Sequence, residues 1–211
     1  MDRLPAVDAR RRTAASLGVL GALAALLASS ACGKDAPAPS PSRVEGAKVK
    51  QNTGATAAGF CDVHHPGDTG PVLALPALAG PPLAAPTPGH WRWVNVWATW
   101  CKPCVEEVPR LVRWQGKLAA AGHPVDLAFV SVDEEAGDIA SFRKLHPAMP
   151  DSPRLADSSR EQGPLFTALG LDAASPIPVH VFVSPSGHVR CVRAGGVGEG
   201  DYAAVERLLT E

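Results

Sequence analysis

Methionine occurs only twice in the 211 residues, at Met1 and Met149, and tyrosine only once. A copper-handling surface built on clustered thioether ligands is therefore excluded. Charge is almost balanced, with 20 Lys and Arg against 21 Asp and Glu for a net charge of -1, and no basic cluster lies beyond the N-terminus. Nothing in that balance argues for nucleic acid or for an acidic substrate. The chain has no internal repeat. It also has a single Cys-x-x-Cys, Cys101 to Cys104, with no second such pair and no spaced His pair. A tetrahedral zinc site of the finger type, which needs four ligands, has no second half here.

The length and a hydrophobic content of 45% allow one ordinary core plus additional segments. Arg10, Arg11 and Arg12 precede an uncharged, largely apolar run from Thr13 to Ala31, the layout of an export signal. Ser29, Ser30 and Ala31 stand directly before Cys32 and resemble the lipobox of bacterial lipoproteins, with Ser29 where that motif usually carries Leu. Three readings fit the segment: a lipoprotein signal with Cys32 lipidated, a cleaved secretory signal, or an uncleaved anchor. Its Ala, Gly and Ser content makes a weak permanent membrane span, which favours the lipoprotein reading. Each of the three delivers the chain outside the cytoplasm.

Residues 1–32 are thus expected to form the signal and residues 33–59, rich in Pro, Ala and Ser, a flexible tether. Residues 60–211 form the folded domain. Within it, Val72 to Leu78 reads as a short strand leading into a Pro-rich loop through Pro88. Trp93 to Ala98 reads as a buried strand, and the segment after Cys101 as a helix. Its apolar stripe is Val105, Val108, Leu111, Val112 and Leu118, with Glu106, Glu107, Arg110 and Lys117 mostly off it. Val125 to Val132 is the next strand, Asp138 to Leu145 a helix ending before Pro147, Arg154 to Ala156 a short strand, and Pro164 to Leu169 a helix. Pro178 heads a strand that turns at Pro185-Ser186-Gly187 into a last strand. The alternation predicts an α/β fold, a central mixed sheet flanked by helices with an N-terminal β extension.

The pair Cys101 and Cys104 falls where a strand hands over to a helix. Unpaired N–H groups and the positive end of the helix dipole stabilise an anion there, and the thiolate is the reactive form of cysteine. The three-residue spacing places both sulfurs on one side of the first turn, within reach of a disulfide. Lys102 adds a positive charge, and Pro103 suits the first helical turn. Redox cycling fits this pair better than a structural bridge, because so short a loop removes little unfolded-state entropy.

Asn95-Val96-Trp97-Ala98-Thr99-Trp100-Cys101-Lys102-Pro103-Cys104, followed by Glu106, Glu107 and Pro109, resembles the active-site segment of thioredoxin-like proteins of the TlpA/ResA type. These are membrane-tethered thiol-disulfide oxidoreductases of the bacterial cell envelope. The spacing of Pro178 to Phe182 and Gly187 resembles the family segment that opens with a cis-proline facing the redox pair. The resemblance implies a cis Ile177–Pro178 bond, with the Ile177 main chain free to pair with an extended substrate. Thioredoxins carry a buried acid where this chain has Asn95, and a neutral amide cannot accept a proton. In the family a glutamate at the end of the following strand can take that role, which points to Glu134 first and Asp133 second, although acids are also favoured at a solvated helix start. The chain departs from the family at His180, where Thr is more usual. His180 is either a strand residue facing solvent, the reading preferred here, or close enough to the cysteines to tune their proton affinity.

The other two cysteines, Cys61 and Cys191, are expected to pair, as leftover cysteines in exported domains usually do. A bridge over so long a loop contributes on the order of 4 kcal/mol. A metal or second redox pair with His64 and His65 is the competing reading. In the expected mechanism Cys101 attacks a substrate disulfide and Cys104 resolves the mixed disulfide. Trp100, Trp97, Lys102, Pro103, Ile177 and Pro178 surround the sulfur, and no cofactor is required. The implied partners are protein thiols and disulfides of the envelope, as in cytochrome c or copper-site maturation, a membrane thiol as electron donor, and the membrane itself through the lipid. A copper chaperone using the same two cysteines is the alternative. A peroxidase of peroxiredoxin type is disfavoured because Ala98 stands where its Pro-x-x-x-Thr-x-x-Cys setting requires threonine.

Overall fold

The computed structural model describes residues 56–211. The signal, Cys32 and the tether lie outside the described residues. Among the described residues no helix is long and apolar enough to cross a membrane.

The architecture is set by the strand that precedes the cysteine pair. The chain contributes strands β1 (Val63–His64), β2 (Leu78–Ala79), β3 (Trp91–Trp97), β4 (Val125–Ser131), β5 (Arg154–Leu155), β6 (Val179–Val183) and β7 (Val189–Ala194). All seven residues of β3 are buried, as expected of a central strand rich in aromatic and β-branched residues. It pairs in parallel with β4, Trp91 opposite Val125 through Trp97 opposite Ser131, and antiparallel with β6. The sheet order is β1-β7-β6-β3-β4-β5-β2, with β4 and β5 parallel and the remaining neighbours antiparallel.

Among the described residues five α-helices accompany the sheet: α1 (Ala57–Phe60), α2 (Lys102–Ala120), α3 (Ala136–Leu145), α4 (Ser158–Ala168) and α5 (Tyr202–Leu208). The crossover helix α2 joins β3 to β4 and buries Val108, Leu111, Trp114 and Leu118 against the sheet. Trp114 lies between Trp93, at 6.3 Å between ring centroids, and Tyr202 of α5, at 5.3 Å edge-on. Val112, placed on the apolar stripe by sequence, is instead exposed, and Glu107, placed off it, is buried. The buried stripe is thus rotated toward Cys104, Glu107 and Trp114.

Two other elements depart from the sequence reading. The stretch from Val72 is not a continuous strand: Val72 forms an isolated bridge with His188, and only Leu78 and Ala79 enter the sheet, against β5. Pro76 has no N–H to give a ladder, which interrupts the run. Helix α4 begins at Ser158, well before Pro164, because the Asp157 side chain accepts from the Arg160 N–H and caps it. Pro164 then sits inside the helix at the loss of one backbone hydrogen bond.

The Pro-rich loop before β3 is held by one carboxylate. Asp126 on β4 accepts from the Thr87 N–H at 2.6 Å and lies 2.9 Å from His90 Nδ1. Burial pushes its pKa up, but the bonds from Thr87 and His90 outweigh that and leave it lowered. A carboxyl lowered in the folded state stabilises above its unfolded pKa, near 3.9, and that contribution disappears as pH falls through the folded value. The Thr87 amide is therefore expected to lose hydrogen-exchange protection as pH falls below about 4. In Asp126→Asn the protection should be weaker and independent of pH over the same range; an unchanged acid dependence in that variant would overturn the assignment.

Candidate active site

Cys101 is the N-cap of α2, and its sulfur accepts the Cys104 N–H at 3.3 Å. The two are joined as a disulfide with 5.3 Å between Cα atoms. Cys101 retains 5% exposure and Cys104 none, so an incoming sulfur can approach only the first. Reduced, Cys101 would lie at the positive end of a 19-residue helix, where a thiolate is favoured. Pro103 occupies the first turn, and Lys102 is exposed, with its ammonium 3.7 Å from Glu106 one turn on.

The Ile177–Pro178 bond is cis. The Ile177 carbonyl oxygen lies 3.7 Å from Cys101 Sγ, which brings the two motifs, 76 residues apart, to one point. Trp100 is 67% exposed beside them. Trp97, expected at the same rim, is fully buried, and its indole N–H donates to Ser152 Oγ at 2.9 Å. The apolar rim of the sulfur is therefore Trp100 and Ile177, because Trp97 is the last residue of a strand buried on both faces.

The acids sort differently from the sequence expectation. Glu134 is exposed, with no hydrogen bond to another described residue. Asp133 is buried and accepts from the Thr99 N–H at 3.0 Å, the Thr99 hydroxyl at 2.8 Å and the Ser131 hydroxyl at 2.6 Å. It fixes the loop carrying Trp100 and Cys101 to the end of β4. The acid beneath the cysteines is Glu107, one helical turn after Cys104 on the same buried face and 2% exposed. Its carboxylate accepts from Asn95 Nδ2 at 2.8 Å and from the Val197 N–H at 3.0 Å. No Lys or Arg reaches it among the described residues. The sequence carried the signal in two parts: Asn95 in the position of the thioredoxin acid, and a glutamate three residues after the second cysteine.

His180 is also buried, not solvent-facing. Register places it opposite Asn95 on β3, with its Nε2 3.3 Å from Glu107 Oε1. The sheet alternation that puts Trp93 and Asn95 toward α2 does the same for their cross-strand neighbours.

Cys61 and Cys191 are bonded, with 5.5 Å between Cα atoms. Cys61 follows α1 and Cys191 lies fully buried on β7, so the bridge ties the start of the domain to the sheet. His64 lies 3.3 Å from Glu211 instead.

The AhpC/TSA family model matches residues 67–192, more than half of the chain and a span that includes β2 to β6 and Cys191. The chain belongs to the AhpC/TSA family. Among curated proteins this family member is 28% identical over 113 residues to the thiol-disulfide oxidoreductase ResA of Bacillus subtilis, covering 53% of the chain and 56% of ResA. It thus spans about half the length of the curated relative it matches. Solved structures with a similar course include a thioredoxin-related protein from Neisseria meningitidis serogroup B, at 25% identity over 60% of this chain and 88% of that one, TM-score 0.47. Another is a putative thiol:disulfide interchange protein DsbE from Chlorobium tepidum, at 23% identity over 58% and 79%, TM-score 0.45. The AhpC/TSA domain described here has the thioredoxin-like arrangement, with its cysteine pair at the N-terminus of the crossover helix and its cis-proline against the first sulfur.

Proposed function

We propose that this AhpC/TSA protein is a membrane-tethered thiol-disulfide oxidoreductase of the cell envelope that reduces protein disulfides. The observation that carries the reading is the asymmetry of the pair: a helix-capping Cys101 that keeps 5% exposure, a fully buried Cys104 behind it, and a buried acid, Glu107, one turn further along the helix. Cys101 as thiolate attacks one sulfur of a substrate disulfide. That bond breaks, a Cys101–substrate bond forms, and the leaving sulfur takes up a proton from water. Cys104 then gives its proton to the Glu107 carboxylate and attacks Cys101, forming the intramolecular disulfide and releasing the second substrate sulfur. Two electrons pass from the cysteine pair to the substrate, and an external dithiol, inferred to be a membrane thiol carrier, restores them. Trp100, Lys102, Pro103 and the Ile177 main chain form the surface on which an extended substrate segment would lie, as exposed backbone beside a cis-proline allows.

The export signal with Cys32, and the tether after it, support an extracytoplasmic, lipid-anchored setting. Envelope proteins whose cysteines must stay reduced before haem or copper is inserted are the substrate class inferred. A peroxidase reading has less support, since Ala98, and not threonine, stands three residues before Cys101.

The test is capture. Full-length Cys104→Ser, expressed in the envelope of a bacterial host, should accumulate as mixed disulfides that dissolve on reduction and are absent from the Cys101→Ser, Cys104→Ser double variant. No adduct, together with a wild-type pair that fails to cycle against dithiothreitol, would overturn the reading.

A further inference from the structure

His180 enters the buried cluster with both ring nitrogens assigned by their neighbours. Nδ1 lies 3.1 Å from the Trp93 indole nitrogen and 3.3 Å from Asn95 Nδ2. An indole N–H only donates, and it is aimed at Nδ1; that nitrogen must therefore be the unprotonated acceptor. The second Asn95 amide hydrogen is committed to Glu107 Oε1, which fixes the amide orientation and leaves its first hydrogen for the same Nδ1. The ring proton is consequently on Nε2, the nitrogen 3.3 Å from Glu107 Oε1, close in distance though not in line for an ideal hydrogen bond.

We propose that His180 is a positioning residue whose tautomer is set by the Trp93 indole, so that an uncharged Nε2–H lies beside the Glu107 carboxylate and leaves that acid able to receive the Cys104 proton. The proposal rests on the disulfide-exchange reading above and adds the residue that sets its proton step. A histidine beside a redox pair would ordinarily be taken for a switch near neutral pH. Here protonation would place an Nδ1–H against the Trp93 N–H and an Asn95 N–H, three donors with no acceptor, in a site with no solvent access. Among the charged groups, the Glu107 carboxylate favours an imidazolium and Arg193 opposes it, so the conflict of donors at Nδ1 is what excludes the cation. Register sets Arg193 of β7 directly opposite His180, and its guanidinium, over the Phe60 ring and donating to the Phe60 carbonyl, is a buried positive charge on the same face. Asp201, before α5, lies 3.7 Å from Arg193 Nη2 and is matched to that cation. From α2 the group facing His180 is Glu107 itself, and from β3 only the uncharged Trp93 and Asn95.

A neutral donor and a charged one have different consequences for Glu107. An imidazolium would pair with the carboxylate and hold it against accepting a proton; a neutral Nε2–H, 3.3 Å away and out of line for a hydrogen bond, favours the ionised form only through its bond dipole. Reduction of the pair is then coupled to protons through Glu107 and the cysteines alone. Each proton taken up with the two electrons changes the equilibrium constant tenfold per pH unit, about 30 mV.

Nitrogen-15 NMR of the ring in the full-length protein reads the tautomer without any activity. The expected result is an unprotonated Nδ1 and a protonated Nε2 at every pH from 5 to 8; a His180 that titrates in that range would overturn the proposal. The second measurement is the pH profile of the resolving step, followed as release of a mixed disulfide preformed on Cys101. His180→Phe, which removes the Nε2–H, should move the acid limb upward by about one pH unit, and His180→Gln, which can return an N–H toward Glu107, should restore most of that shift. An unmoved limb in His180→Phe would also overturn the proposal, whereas a mixed disulfide that never resolves in wild-type protein would overturn the exchange mechanism and leave the tautomer result standing.

Discussion

Glu107→Gln is expected to slow resolution of the mixed disulfide by two to three orders of magnitude while changing the first attack by Cys101 less than threefold. Positioned general bases contribute about 100- to 10,000-fold, and Glu107 is the only buried acid within one turn of Cys104 on its helix. Glutamine keeps the shape and one acceptor oxygen, so the bonds from Asn95 and Val197 are half preserved, but it cannot take a proton. Cys101, by contrast, draws its reactivity from the end of α2 and from the Cys104 N–H, neither of which the substitution touches. Stopped-flow measurement with a small aromatic disulfide separates the steps. The first phase reports attack and the second reports release. A second phase as fast as in wild type would show that Cys104 loses its proton elsewhere, with the exposed Glu134 the next acid to replace. An unchanged unfolding midpoint would confirm that the effect lies in chemistry.

Replacing Cys61 and Cys191 together by alanine should cost the domain about 2–5 kcal/mol, the range for native bridges of this kind. The bridge spans 130 positions, and a closed loop of that length removes far more unfolded-chain entropy than the short one between Cys101 and Cys104. It also holds α1 against the sheet, where Phe60 packs edge-on to Phe182 at 5.9 Å and under the Arg193 guanidinium. For a domain of this size the loss corresponds to a fall in Tm on the order of 10 °C. Calorimetry of wild type, the Cys61/Cys191 double variant and the Cys101/Cys104 double variant should show the large shift only in the first of the two variants. Equal shifts would mean that the bridge does little beyond what packing supplies.

The two predictions differ in how far the sequence alone reached them. The strand-to-helix position of Cys101 and the parallel return through β4 were legible because each has a local signature, an apolar run and a helical period, whereas the cis bond at Pro178 was implied by the resemblance to the TlpA/ResA type. Glu107 was misplaced because a helical wheel treats a glutamate as a solvent residue. What buries it is a partner set from three other segments: Asn95 and His180, paired by the register of β3 and β6, and Val197 from the turn after β7. His180 illustrates the same limit, since nothing along VHVFV marks it as polar surface or polar core. The α4 start was missed for a different reason, an aspartate cap that outweighed a proline in the helix interior. Asp133, ranked second to Glu134 among the candidate bases, proved to be the anchor of the Thr99 loop, a role that depends on three donors from two separate segments.

The complete burial of Cys104 has a consequence for chemical durability. A peroxide would meet Cys101 alone. If it converted that thiolate to a sulfenic acid, the neighbouring Cys104 thiol would condense with it, expel water and regenerate the ordinary disulfide. The second sulfur cannot itself be reached, and the first is captured before a further oxidation to sulfinic acid can make the loss irreversible. The geometry that orders disulfide exchange thereby also limits oxidative damage to a disulfide, which an external dithiol can reduce.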